Sequence, residues 1–183
     1  MTSRLRIALV ATLLSACASV PDDASVVEKL DTSTGLTVAR LGHAIELYRE
    51  SGAQDATTKF AFLGPFETNQ MGSRELYLWI AIPAELAQGE PPPVVEIDGK
   101  PLSLGTAGRA PDFAGLHKSP YKIPTPWSSN YFFHVDRALV DRLRDASELA
   151  IRFTELTRDG SLNSVFTVKI VADTRLKEFA ARD

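Results

Sequence analysis

The chain predicts a mainly β protein, a two-layer antiparallel β-sandwich of immunoglobulin-like character with one crossover helix and a short C-terminal helix. Three observations lead there. Short apolar or alternating runs recur along the chain with turn residues between them, which is the pattern of strands. Asp98-Gly99 stands between the apolar runs "VVEI" and "KPLSL", where a two-residue hairpin turn needs both central residues at positive φ. Two segments have a helical apolar stripe, too few for a parallel α/β fold.

Taken in order, the strand candidates are Leu36–Arg40, Ala44–Tyr48, Lys59–Phe66, Glu75–Ile82, Val94–Asp98, Pro101–Leu104, Tyr131–Asp136, Glu148–Glu155 and Ser164–Val171. Leu41, Ile45 and Tyr48 also fit helical spacing, but Gly35 and Gly42 favour two strands joined by a bend. A helix is expected after Asp136, whose carboxylate accepts first-turn amides, with Leu139, Val140, Leu143 and Ala146 as its apolar stripe. A second is expected after Asp173, with Leu176, Phe179 and Ala180 on one side, packed at the sheet edge.

The N-terminus carries a different signal. Arg4 and Arg6 precede an apolar run from Ile7 to Leu14, far short of the roughly 20 residues of a spanning helix, and the run closes on Leu14-Ser15-Ala16-Cys17. This arrangement resembles the signal peptide and lipobox of bacterial lipoproteins. The resemblance implies cleavage after residue 16, a diacylglycerol thioether on Cys17 and an N-acyl chain such as palmitate. Two or three acyl chains hold a protein on a membrane almost permanently, at about 0.8 kcal/mol per buried methylene. Residues 17–25 then form a tether, and residues 26–183 a single domain large enough to fold on its own core. At roughly 3.3 to 3.6 Å per residue the tether reaches at most about 30 Å. Ala18 is not the aspartate that commonly retains lipoproteins at the inner membrane, so the expected location is the outer membrane, facing the periplasm.

Composition narrows the chemistry. Cys17 is the single cysteine, so the domain has no disulfide, no thiolate zinc site and no catalytic cysteine. The formal charge is −3, and removal of the leader makes it more negative. No basic block or cationic face is apparent along the chain, so neither nucleic acid nor electrostatic attraction to a membrane surface is expected.

The stretch "FETNQMGSRELYLWIAIP" places Glu67, Asn69 and Arg74 directly before an apolar run. Leu76 to Ile82 is apolar on both faces, as a central strand is. "FAFLGPFE" is its expected antiparallel partner, with Thr68 to Ser73 as the connection and Glu67 and Arg74 as an exposed pair across the hairpin mouth. Such a pair contributes about 0 to 1 kcal/mol. Together with "TGLTV" at Thr34 to Val38, the pattern of Glu67, Asn69, Gly72, Arg74, Tyr77, Leu78 and Trp79 resembles a family of uncharacterised proteobacterial lipoproteins. The resemblance brings no assigned activity, and the cluster reads either as a structural hairpin or as a ligand site.

Few residues fall into catalytic patterns. Ser119-x-x-Lys122 and Ser128-x-Asn130 match the first two signatures of serine penicillin-binding enzymes, but Pro124 and Pro126 forbid the helix that chemistry needs and no K-T-G follows. His43, His117 and His134 lie far apart without the i, i+4 partner of a helical metal site. His134 reads as an ordinary strand histidine and His43 as a partly buried, hydrogen-bonded one. No metal, cofactor or catalytic residue is expected.

The long segment 105–129 is the best binding candidate, because loops of this length are uncommon in compact domains. It carries Phe113, His117, Tyr121, Lys122 and Trp127 on a proline-stiffened chain. These residues either engage a protein partner or glycan, or pin the loop over the sandwich. The expected function is a non-catalytic binding or assembly role in the cell envelope. A hydrolase whose site is assembled from distant residues and a glycan- or lipid-binding sandwich are the alternatives.

Overall fold

The computed structural model describes residues 25–50, 59–83, 91–122, 125, 127–157, 160–170 and 173–182. The expected leader, Cys17 and the expected tether up to residue 24 lie outside them. Among the described residues eleven strands form in the order β1 (Val26–Asp31), β2 (Leu36–Leu41), β3 (Ile45–Arg49), β4 (Phe60–Gln70), β5 (Ser73–Ile82), β6 (Val94–Ile97), β7 (Lys100–Pro101), β8 (Ala107–Gly108), β9 (Ser129–Val135), β10 (Glu148–Thr157) and β11 (Gly160–Lys169). Helix α1 (Arg137–Asp145) joins β9 to β10, α2 (Thr174–Ala180) follows β11, and Pro111–Ala114 makes a 3-10 turn. The chain is therefore mainly β, with every strand pair antiparallel, and its sheet curls into a half-barrel.

The hydrogen-bonded order is β7-β6-β10-β11-β3-β4-β5-β9-β8, with β2 and then β1 branching from β4. The branch arises because β4 is long enough to serve two neighbours along one edge. Phe60–Leu63 pairs with β3, and Phe66–Asn69 pairs with β2. Between these stretches Gly64 and Pro65 lie opposite the bend from Gly42 to Ala44, where neither strand supplies a ladder partner. The expected bend at Gly42 is thus the point where the sheet forks.

Turn chemistry fixes two hairpins. Asp98 (φ 50°) and Gly99 (φ 72°) form the expected two-residue turn. The Asp98 carboxylate also accepts the Ser147 and Glu148 amides at 2.9 Å, which ties this hairpin to the start of β10. The β4–β5 connection is shorter than expected from the sequence. Met71 (φ 51°) and Gly72 (φ 94°) alone make the turn, and Thr68, Asn69 and Gln70 continue β4. Strand pairing extends this far because the two positive-φ residues reverse the chain with the right-handed twist that the ladder requires. Of Pro101–Leu104, expected as a strand, Pro101 belongs to β7 and the Leu102 amide donates across to the Val95 carbonyl at 2.8 Å, and β1 and β8 are strands the hydrophobic pattern did not reveal.

The helices start as their caps predict, with Asp136 accepting from the Leu139 amide at 2.8 Å and Asp173 from the Arg175 amide at 2.9 Å. Leu139, Val140, Leu143, Leu176, Phe179 and Ala180 are buried and join a single core with the strands. Strand register sorts that core into two faces. Leu41, Leu47, Leu63, Leu78, Ile80, Tyr131, Phe133, Ile151 and Phe166 share one face of the curled sheet and are all buried. Phe66, Tyr77, Trp79 and Phe132 share the other face and are buried as well, which requires a cover on that side.

Candidate functional site

The cover is the long segment after β7. It bends at Gly115, whose φ of 69° suits glycine, and residues 116–122 then cross the outer face as a strap. Tyr121 fixes it. Its ring stacks on Trp79 (5.1 Å between centroids, 27° between planes) and lies over Gly64, where a Cβ would overlap the ring. Its hydroxyl reaches the fork of the sheet, accepting the Leu41 amide at 3.2 Å and donating to the Pro65 carbonyl. One phenol oxygen thus satisfies backbone groups of both β2 and β4 at the place where the ladder is interrupted. Burial raises the Tyr121 pKa, so the phenol stays protonated and keeps its donor.

The other end of the strap is tied by Asp31 at the β1–β2 turn. Its carboxylate accepts the His117 amide at 3.1 Å and the Ser33 amide at 3.0 Å. These bonds, the His117 one foremost, hold its pKa below the ordinary carboxylate value.

Between the β1–β2 hairpin and the strap lies a groove of about 390 Å³. Val38, Leu116 and Tyr121 give it an apolar floor, and Lys29, Arg40, Lys118 and Lys122 supply cations from three separate stretches of chain. The expectation of no cationic face is corrected here, because positions 29, 40, 118 and 122 are too far apart in sequence to read as a patch. Arg40 lies over the Tyr121 ring, 5.4 Å from its centroid, and donates through Nη1 to the carbonyls of Leu41 and Gly42. Asp31 is the carboxylate lining this groove, and its oxygens are already engaged by backbone amides.

The five residues singled out on the loop therefore separate. His117, Tyr121 and Lys122 line the groove, but Tyr121 is 3% exposed and serves as the pin rather than as a contact surface. Phe113 sits against Gly108 and edge-on to Tyr77 at 6.5 Å. Trp127 is exposed and is not part of the groove wall.

The hairpin cluster has local partners. Asn69 accepts the Gly72 amide at 2.9 Å and closes the turn. Glu67 and Arg74 do pair, at 3.4 Å, but Glu67 is 5% exposed rather than solvated. It belongs to the buried stretch of β4, with Ala39 and Leu76 opposite it on the neighbouring strands. His43 departs from expectation too. It is exposed, because the bend at the fork turns it out of the alternation of β2 and β3. His134 is an exposed strand residue whose ring meets Tyr77 edge-on at 5.3 Å.

Ser119 and Lys122 lie outside any helix, and Asn130 is committed to the Trp79 indole, accepting its Nε1–H at 3.0 Å. Among the described residues no cluster of three or more His, Cys, Asp or Glu is placed to hold a metal ion. Comparison with protein-family models, curated proteins and solved structures gives no match to the chain.

Proposed function

We propose that this is a lipid-anchored protein of the bacterial cell envelope, held through Cys17 at the outer membrane and facing the periplasm. Its role is non-catalytic binding, and the groove between the β1–β2 hairpin and the strap is its binding surface. The anchor is supported by the leader and the Leu14-Ser15-Ala16-Cys17 motif, and the likeness of the Glu67–Trp79 pattern to proteobacterial lipoproteins agrees with it. The observation that carries the binding role is the convergence of Lys29, Arg40, Lys118 and Lys122 on one groove in a chain of net charge −3. A volume of about 390 Å³ falls in the range of small-ligand sites, which run from about 300 to 1,000 Å³. The same reading takes the forked sheet as the two layers of an antiparallel, immunoglobulin-like sandwich, since both branches contribute to one core.

Two measurements test this. Cys17→Ala is expected to abolish lipid incorporation and release the protein from membranes, and a variant that still partitions with membranes would sink the anchor. Cross-linked envelopes are expected to yield ligand or partner adducts with the wild type that Lys118→Glu/Lys122→Glu loses. Identical adducts from both would remove the groove from consideration.

A further inference from the structure

We infer that the groove is a headgroup site for an anionic phospholipid of the membrane to which the chain is tethered, an inference that rests on the groove being the binding surface. The first argument is charge. Lys29, Lys118 and Lys122 are exposed and belong to no ion pair among the described residues, and the neighbouring Asp31 carboxylate is occupied by two amides. Those neutral amides leave Asp31 its one negative charge, against which stand the four cations Lys29, Arg40, Lys118 and Lys122, so the groove keeps a positive excess while the chain as a whole is negative.

The second argument is donor geometry. Both hydrogen bonds of Arg40 use Nη1, so Nε and Nη2 keep their N–H groups for an oxyanion, and guanidinium suits the two oxygens of a phosphodiester. Ser119, in the same wall, has a buried hydroxyl with no hydrogen-bond partner among the described residues. The third is the apolar floor of Val38, Leu116 and Tyr121, which suits a glycerol backbone better than a free ion. A glycan would need an exposed aromatic platform, and Tyr121, the pin of the strap, is buried against Trp79.

Position along β1 completes the case. The tether enters at Val26, beside α2, where Ser25 meets Glu178 and Glu28 meets Arg182 at 2.7 Å. Lys29 lies three residues further, about 10 Å at strand rise. A tether reaching about 30 Å leaves the groove within range of the headgroups. An anionic leaflet attracts this face and repels the acidic remainder, so headgroup capture also sets the orientation of the tethered domain.

The test uses the lipidated full chain in nanodiscs of phosphatidylcholine alone or with phosphatidylglycerol, read by amide hydrogen exchange. Protection at residues 29–33 and 116–122 is expected to rise at least about fivefold in the anionic discs. Lys29→Gln/Lys118→Gln/Lys122→Gln should lose the gain with the core strands unchanged. Equal protection in both discs, or a gain that survives in the variant, overturns the inference. If inorganic phosphate protects the strap in the zwitterionic discs as well as phosphatidylglycerol does, the occupant is a soluble phosphate and the lipid assignment fails while the groove stands. Protection in no arm removes the binding surface itself, and the intact mass of the Cys17 peptide reports on the anchor independently.

Discussion

Removing the Tyr121 hydroxyl isolates the bond that closes the fork of the sheet. Tyr121→Phe keeps the ring on Trp79 and over Gly64, but it takes the acceptor from the Leu41 amide and the donor from the Pro65 carbonyl. Leu41 is fully buried, and water has no ready access to its amide. An unsatisfied buried polar group costs about 1 to 3 kcal/mol, and a carbonyl suffers less than an amide, so the expected loss is about 2 to 3 kcal/mol. Urea denaturation followed by fluorescence suits the measurement, because Trp79 is fully buried beneath Tyr121. A partner substitution removes the ambiguity of a general effect. Gly64→Ala places a methyl group in the Tyr121 ring and is expected to cost about 1 to 3 kcal/mol in the wild type through overpacking. In a Tyr121→Ala background it should be neutral or stabilising, since the space is then empty and alanine favours order over glycine. A Tyr121→Phe protein within about 0.5 kcal/mol of wild type, or a Gly64→Ala cost that persists without the ring, would refute the pinning of the strap at the fork.

Three further expectations follow from other contacts. Arg74→Ala should cost about 1 to 2 kcal/mol, more than an exposed pair, because it leaves the buried Glu67 carboxylate unpaired; chemical denaturation in a double-mutant cycle with Glu67→Gln should show the penalty largely relieved. Asp31 has a folded-state pKa below its unfolded value, so its contribution is present above the unfolded pKa and is lost as pH falls through the folded one. Urea midpoints measured downward from about pH 5 should therefore fall more steeply for wild type than for Asp31→Asn, with parallel curves excluding the Asp31 tie to His117. Asp136→Ala removes the cap on the Leu139 amide and should lower stability by about 1 kcal/mol, read from the thermal midpoint, while Asp136→Ser should retain most of it.

Local rules made much of the β architecture legible. Continuous apolar runs located β4 and β5, which are buried on both faces, and alternation located β3, which buries every second residue. Asp98-Gly99 gave its hairpin because few residue pairs accept two positive φ values, and Asp136 and Asp173 marked both helix starts because orphan first-turn amides need an acceptor. By the same logic Met71-Gly72 was obscured, since methionine is not a usual left-handed residue and its turn is imposed by the pairing of β4 with β5. β1 was missed because "VVEKLD" has Glu28, Lys29 and Leu30 all exposed and stands at an edge, where burial writes no alternation.

The sequence by itself determined the strand-rich class, the two helix starts and the loop aromatics that bear on a binding role. Tertiary structure decided what those residues do. Tyr121 and Trp127 are alike as exposed-or-buried aromatics in a polar loop, and only the notch at Gly64, set by the fork between β2 and β3, makes one a pin and leaves the other at the surface. The cationic groove is likewise a product of folding. Its charges come from positions 29, 40, 118 and 122, and their closeness depends on a strap held by one phenol and one carboxylate, a long-range relation that no local pattern of residues encodes.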